Sequence, residues 1–273
     1  MSNETPNPKY RLLVLTDLSK ASDMALRNAV QLAKAINGKV DVFHAKAPTS
    51  VVKFDNQLSA MRSIHHDYNK TQAKLENDIQ ELESAEGVRI GFKIAYGNVK
   101  NAIREHIKET KPDIAVLGKR KSKIIGFLGD GITNFVLNQC STNVLITDEE
   151  QVFHSFNDLS LGIFGDAIEK QGLEILNDLS KAGNKPIKLF SVGESANANV
   201  SNQEKRTISY VFPEGSNAMD GLASYVQKTQ TQLLCIPSSK NKDQGGRQRK
   251  NIIDASVRRM VQKVGIPVLF IAS

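Results

Sequence analysis

The sequence carries one structural pattern twice, and this internal repeat is the feature that most restricts its fold. Residues 11–17 form a short apolar run that ends in an aspartate, and residues 159–166 form a similar run with the same ending. After each run, apolar residues recur at helical spacing until a glycine ends the segment. Short apolar runs that alternate with amphipathic helices are typical of buried parallel strands. The repeat therefore predicts two copies of an α/β unit.

Each half contains five such apolar runs, separated by helical or polar segments. We expect strands at residues 11–17, 39–45, 88–94, 114–118 and 143–147 in the first half, and at 159–166, 187–192, 207–212, 233–237 and 267–271 in the second. Because right-handed crossovers connect parallel strands, the pattern predicts a five-stranded parallel sheet with flanking helices in each half. The predicted domains are residues 1–150 and 151–273.

The two halves differ between their second and third strands. The first half has a long connection there, residues 46–88, with a helical stretch over about residues 58–84. The second half has only residues 193–206, which are mainly polar. The shorter connection predicts that the second copy has lost a helix and is a degenerate repeat.

Composition and charge exclude several classes of protein. With 40% hydrophobic and 24% charged residues, the composition is that of a globular protein. No apolar run approaches the roughly 20 residues that a membrane-spanning helix needs, and the polar first residues do not form a secretory signal. Two cysteines, Cys140 and Cys235, are too few for a disulfide scaffold, so we expect buried thiols and a cytoplasmic location.

The net charge of +7 is shared between the halves, and the chain has no tryptophan and no zinc or helix-turn-helix motif. We therefore expect no sequence-specific nucleic-acid recognition and no membrane partner. The chain also lacks a P-loop, a nucleophile elbow and a recognisable Ser/His/Asp set, so nothing in it requires catalysis.

One pair of segments suggests a ligand site. Asp17 follows the first strand, and the glycine-containing segment Gly118–Thr133 follows the fourth. Ligands of open parallel sheets bind beyond the carboxyl ends of the strands, at the point where the strand order reverses. Exposed backbone N–H groups and the start of a helix near Thr133 form an anion cradle. A carboxylate such as that of Asp17 accepts hydrogen bonds from two ribose hydroxyls.

Nearly the whole chain resembles a tandem member of the universal stress protein family. The resemblance rests on residues 13–19, the segment after Gly118, Phe135–Leu137 and Asn143–Ile146 in the first half, and on Gly265–Ile271 in the second. It implies two Rossmann-like domains of the adenine nucleotide alpha hydrolase-like type. It also implies that they pack as an intramolecular pseudo-dimer through the edge strands around Val144 and Val268, with a further homodimer between chains possible.

The nucleotide-binding branch of that family has the pattern Gly-x2-Gly-x9-Gly-Ser/Thr after strand 4. Gly118 and Gly131 match its first and last glycines, whereas Lys121 replaces the middle glycine and Ile132 replaces the hydroxyl residue. The resemblance implies binding of ATP or a related adenine nucleotide, with Mg accompanying it. The implied contact residues are Thr16, Asp17, Ala45, Gly118, Lys119, Lys121, Gly129, Gly131, Ile132 and Thr133.

The resemblance implies a cytoplasmic, non-catalytic stress-response or signalling protein whose ATP hydrolysis is at most very slow. The alternative is an interaction module that has lost its nucleotide sites and whose basic loops bind an acidic partner or a small phosphorylated ligand. Both interpretations stay open at the level of sequence.

Restoring the missing glycine tests the damaged pattern. Lys121 either obstructs the approach of backbone to phosphate or adds a charged donor of its own. Calorimetric titration of the Lys121→Gly variant with ATP separates the two cases. Tighter binding than in the unsubstituted protein indicates obstruction, and weaker binding indicates a phosphate contact.

Overall fold

A computed structural model of the chain describes residues 7–47, 57–119, 131–150, 153, 159–165, 170–193, 206–237 and 255–272. The strands in these ranges are β1 (Tyr10–Thr16), β2 (Gly38–Lys46), β3 (Ile90–Tyr96), β4 (Ile114–Gly118), β5 (Asn143–Thr147), β6 (Leu161–Phe164), β7 (Ile187–Val192), β8 (Thr207–Phe212), β9 (Leu233–Pro237) and β10 (Val268–Ile271). The helices are α1 (Lys20–Ile36), α2 (Gln57–Glu86), α3 (Val99–Thr110), α4 (Ile132–Gln139), α5 (Lys170–Ala182), α6 (Ala218–Lys228) and α7 (Ala255–Lys263).

All ten of these strands belong to one sheet, in the order β3-β2-β1-β4-β5-β10-β9-β6-β7-β8. Within each half the strands are parallel, and each half repeats the same order, with its first strand between its second and fourth. The α/β class and the parallel pairing agree with the sequence analysis. The two five-stranded sheets that it predicted are joined into one.

The junction is an antiparallel pairing of β5 with β10. Ile146 lies opposite Val268, and Val144 lies opposite Phe270. These are the edge strands that the sequence analysis expected to meet. Edge strands present unpaired N–H and C=O groups, and here each half supplies the pairing partner for the other.

Strand alternation divides the core between the two faces of the sheet. In β1, Leu12 and Val14 pack on the face covered by α1, α2 and α5, whereas Leu13 and Leu15 pack on the face covered by α3, α4, α6 and α7. Each of the two buried clusters contains residues from both halves. The hydrophobic core therefore continues across the β5–β10 junction.

Other expectations can be compared with the structure directly. Cys140 and Cys235 are free and buried, as predicted. The third strand begins at Ile90 rather than at residue 88, because α2 runs to Glu86 and the chain then turns at Gly87, whose φ is +66°.

The predicted loss of a helix before β8 falls on residues 194–205, which lie outside the described residues. Within the described ranges, no helix combines the length and the apolar character that crossing a membrane requires.

Polar contacts also connect the halves. The ammonium group of Lys9 and the phenol of Tyr10 both donate hydrogen bonds to Asp178 of α5, the latter at 2.8 Å. The backbone N–H of Phe153 donates to Oδ1 of the buried Asn28 at 2.9 Å. Burial acts to raise the pKa of the Asp178 carboxyl, but the bonds from Lys9 and Tyr10 outweigh it and hold that pKa below its usual range.

The Asp178→Asn variant should be less stable than the unsubstituted protein by about 1–2 kcal/mol at pH 7, because two hydrogen bonds to a charged group are weakened. A carboxyl with a lowered pKa stabilises the fold above its ordinary pKa, and this contribution is lost as the pH falls through the lowered value. The difference should therefore vanish in strong acid, as measured by urea unfolding at several pH values.

Glu174→Gln is the matched control, because Glu174 also pairs with Lys9, at 2.9 Å, but its side chain is 63% exposed. The Glu174→Gln substitution should lower the free energy of unfolding by less than about 0.5 kcal/mol. Equal losses of stability for the two variants at pH 7 would show that the half-buried position of Asp178 adds nothing to its contacts with Lys9 and Tyr10.

Candidate functional site

A cleft of about 360 Å³ lies at the carboxyl edge of the first-half sheet. It opens between β1 and β4, which are parallel neighbours and form the point where the strand order reverses. Seven of the ten predicted contact residues line it: Thr16, Asp17, Ala45, Gly118, Gly131, Ile132 and Thr133. The structure thus brings the end of the first strand, the end of the fourth strand and the start of α4 into one cavity.

The turn after β1 holds Asp17 at the rim of the cleft. Leu18 adopts a left-handed backbone conformation, with φ of 62°, which reverses the chain into α1. Thr16 Oγ1 accepts the N–H of Leu18 at 3.0 Å and donates to Ser22 Oγ at 3.0 Å. Asp17 Oδ1 accepts the N–H of Ser19 at 3.0 Å, and the Asp17 side chain is exposed. This network fixes the carboxylate where it can meet a ligand.

Gly118 is required by a close approach of two backbone segments. A Cβ atom at this position would overlap the carbonyl group of Ala21 and lie 2.8 Å from the backbone nitrogen of Ser22. The glycine therefore allows the end of β4 to touch the first turn of α1. Its role in the fold is close packing, and its place in the cleft wall follows from that packing.

Gly131 has a different role, because a Cβ atom there would meet no atom of the described residues within 4 Å. It is the N-cap residue of α4, with φ of −72°, and no side chain in the described part of the chain caps the helix start. The first N–H groups of a helix have no partners within the helix and carry its positive end. The start of α4 therefore offers open backbone donors to the cleft, and the buried Thr133 follows within the first turn.

The inner walls of the cleft are apolar. They are formed by Leu15, Phe43, Leu117, Val99 and Ile103. The sequence analysis did not assign these residues to the site. Strand alternation could have found the first three, because they lie on the sheet face that α3 covers. Val99 and Ile103 share the apolar face of α3.

Lys119 corrects the sequence-based assignment. Its side chain does not line the cleft but reaches into the second half, where Nζ donates to the Gln262 carbonyl at 3.1 Å and lies 3.5 Å from the Val261 carbonyl. Nζ also lies 3.8 Å from Asp148 Oδ2. The carbonyls at the end of α7 carry the negative end of that helix, and this attracts the ammonium group.

Several predicted positions lie outside the described residues. These are Lys121 and Gly129 in the first half and Asp166 in the second.

His44 lies at the end of β2, directly before Ala45, and is 5% exposed. Its Nδ1 donates a hydrogen bond to the Thr16 carbonyl at 2.9 Å. It therefore packs within the fold and supports the end of β1.

The chain is similar to known proteins both in sequence and in fold. The model of the universal stress protein family matches residues 10–148. The structure of a universal stress protein from Archaeoglobus fulgidus DSM 4304 superposes with a TM-score of 0.72 at 13% identity, covering 95% of this chain and 97% of that one. A functionally unknown protein from Pseudomonas aeruginosa PAO1 gives 0.63 at 13% identity, covering 96% and 92%. A comparison with curated proteins gives no significant match.

Substituting each of the two glycines should show that close packing requires a glycine at position 118 but not at position 131. Gly118→Ala should lower the free energy of unfolding by about 1–3 kcal/mol, because the added methyl group forces β4 and α1 apart. Gly131→Ala should cost less than about 1 kcal/mol, because the space around it is open and alanine is only a poorer N-cap. Urea unfolding of the two variants measures this difference, and a Gly118→Ala protein as stable as the unsubstituted one contradicts the close approach.

Proposed function

The chain belongs to the universal stress protein family, and from that premise we propose that it is a stress-response or signalling protein whose first half binds ATP or a related adenine nucleotide. The observation that carries the proposal is the cleft beside Asp17. It joins an exposed carboxylate, apolar walls and an uncapped helix start, which are the three kinds of group that a nucleotide needs. Its volume of about 360 Å³ lies in the range of small-molecule sites.

Each part of a nucleotide has a matching part of the cleft. Phe43, Ala45 and Val99 offer an apolar surface to a flat base. The carboxylate of Asp17 accepts hydrogen bonds from ribose hydroxyls. The N–H groups at Gly131–Thr133 and the Thr133 hydroxyl suit phosphate oxygens, and the positive end of α4 favours their charge.

Mg would accompany the phosphates in this proposal. Among the described residues, no group of three or more His, Cys, Asp and Glu side chains is placed to hold a metal ion. Phosphate oxygens would therefore supply most of the ligands, as is usual for Mg²⁺ at nucleotide sites.

We further propose that the bound nucleotide is not turned over, or is hydrolysed only very slowly. Within the described lining of the cleft, Asp17 is the one titratable side chain, and one of its oxygens accepts a backbone N–H. Phosphoryl transfer at a useful rate depends on positive groups that neutralise the transition state. Lys119, which directly follows Gly118 of the cleft wall, is engaged by α7 instead.

We propose that the role of the second half is structural. The antiparallel pairing of β5 with β10 supports an internal pseudo-dimer of two family domains, with the second, degenerate copy completing the sheet. A further homodimer between chains is compatible with this arrangement. We place the protein in the cytoplasm, where the free thiols of Cys140 and Cys235 stay reduced.

Removing the carboxylate tests the site. Asp17→Ala should weaken ATP binding by roughly 10- to 100-fold in isothermal titration calorimetry, because hydrogen bonds to a charged group are lost. Asp23→Ala is the control, because it removes the same charge from the first turn of α1, where Asp23 pairs with Arg27 outside the cleft. Its affinity for ATP should stay within about twofold of that of the unsubstituted protein.

Equal affinities for the Asp17→Ala variant and the unsubstituted protein would remove Asp17 from the site. Failure of the unsubstituted protein to bind ATP, ADP or cyclic AMP at all would reject the nucleotide proposal. That result would leave the alternative of an interaction module.

A further inference from the structure

A second cavity, of about 330 Å³, opens at the amino end of the first three strands, on the face of the sheet that α3 covers. We call it the amino-end cavity, and the polar side chains that line it include those of Arg11, Lys39, Asp41, Lys93 and His106. It is separate from the cleft beside Asp17. Arg11 precedes Asp17 by six residues along one extended segment, a separation of about 20 Å at the rise of a strand.

The charges around the amino-end cavity do not balance. Three cations line it, and Asp41 is the carboxylate among the lining residues. Asp41 pairs with Lys39 at 2.9 Å and Glu109 lies 3.3 Å from Lys93, which leaves Arg11 as the excess positive charge. Both pairs are solvent-exposed and therefore weak, so Lys39 and Lys93 can also contact an anion. The cavity therefore favours an anion.

Arg11 is suited to hold an anionic group. Its backbone N–H donates to Asp113 Oδ2 at 2.7 Å, which fixes the start of β1. Its guanidinium makes a long contact, 3.4 Å, from Nη1 to the Thr110 carbonyl. A guanidinium has five N–H donors in a planar fork that matches the oxygens of a carboxylate or a phosphate.

His106 forms part of the wall and has unused hydrogen-bonding capacity. Its ring is 8% exposed and stacks on Phe43 with 4.1 Å between centroids and 16° between planes. Nδ1 is buried and has no hydrogen-bond partner among the described residues, and the Glu109 carboxylate lies 3.9 Å away. Burial and the charge of Lys93 lower the pKa of His106, which favours the neutral ring. Buried polar atoms in folded proteins are nearly always paired.

From this geometry we propose that the amino-end cavity binds a small organic anion, a carboxylate or a phosphate monoester on a compact body. Arg11 and Lys93 hold the anionic group, and the ring of His106 and the side chain of Leu13 form the wall against which the body of the ligand packs. The proposal stands whether or not the nucleotide cleft binds ATP.

The test is a titration of the full chain, labelled with ¹⁵N, followed by nuclear magnetic resonance. Benzoate and phenyl phosphate are the anionic probes, and benzyl alcohol is the neutral probe. Both anions should give saturable shifts of the His106 ring signals and of the amide signals of Arg11 and Lys93. Benzyl alcohol should bind at least about tenfold more weakly, because it offers no charge to the two cations.

Two charge substitutions and a control refine the test. Arg11→Gln and Lys93→Gln should each weaken binding of the anions by about tenfold. Lys108→Gln removes the same charge from an exposed position on α3 that does not line the cavity, and it should leave binding unchanged. Urea unfolding of each variant confirms that the fold is retained.

Three results would overturn the proposal. The first is a shift at His106 that grows linearly with probe concentration and never saturates. The second is a set of saturable shifts at Gly131–Thr133 instead of at His106, which would assign the anion to the nucleotide cleft. The third is an equal loss of affinity in Lys108→Gln and Arg11→Gln, which would reduce the effect to net charge. Failure of ATP to bind would be observed at the cleft beside Asp17, and it would contradict only the proposal of nucleotide binding.

Discussion

The antiparallel hydrogen bonding between β5 and β10 is the interaction on which the rest of the molecule depends. It involves only a few residues on each strand, yet it makes one sheet out of two. Without it, each half would present the edge of a short apolar strand, Asn143–Thr147 or Val268–Ile271, to solvent. The contacts of Lys9, Tyr10 and Lys119 with the second half lie to either side of this junction and require the same alignment.

Much of the fold could be predicted from sequence because buried parallel strands leave a strong signal. Every strand had its apolar run, and the adjacency of β1 and β4 brought Asp17 and Gly118 to one edge as expected. The start of β3 was misplaced because Val88 and Arg89 look like strand residues, whereas the left-handed turn at Gly87 delays the strand. Local composition does not reveal where a long helix will end.

The site was only partly predictable, for a physical reason that Lys119 illustrates. A lysine beside a glycine-containing segment resembles a phosphate ligand, but a long cationic side chain goes to the most favourable negative group within its reach. Here that group is the end of α7, more than 140 residues away in sequence. The apolar walls were missed for a related reason, because Phe43 and Ile103 look like ordinary core residues until the cavity between them is seen.

The family model and the structural comparison cover different lengths of the chain, and there is a physical reason for the difference. The family model stops at residue 148, whereas the structural likeness extends over both halves. A parallel sheet is maintained by the pattern of apolar residues, which many sequences satisfy. A binding site is maintained by particular residues at particular positions. The strand order of a half can therefore stay the same while its sequence diverges.

The stacked pair of Phe43 and His106 links two regions that strand geometry keeps apart. Phe43 lines the cleft at the carboxyl edge, and His106 lines the amino-end cavity, so the two rings form one shared partition. A ligand that displaced one of the two rings would also move part of the wall of the other cavity. Any resulting coupling between occupants is reciprocal: the factor by which the first changes the affinity for the second equals the factor by which the second changes the affinity for the first. If both cavities bind ligands, the contact between Phe43 and His106 is where such a coupling would be transmitted.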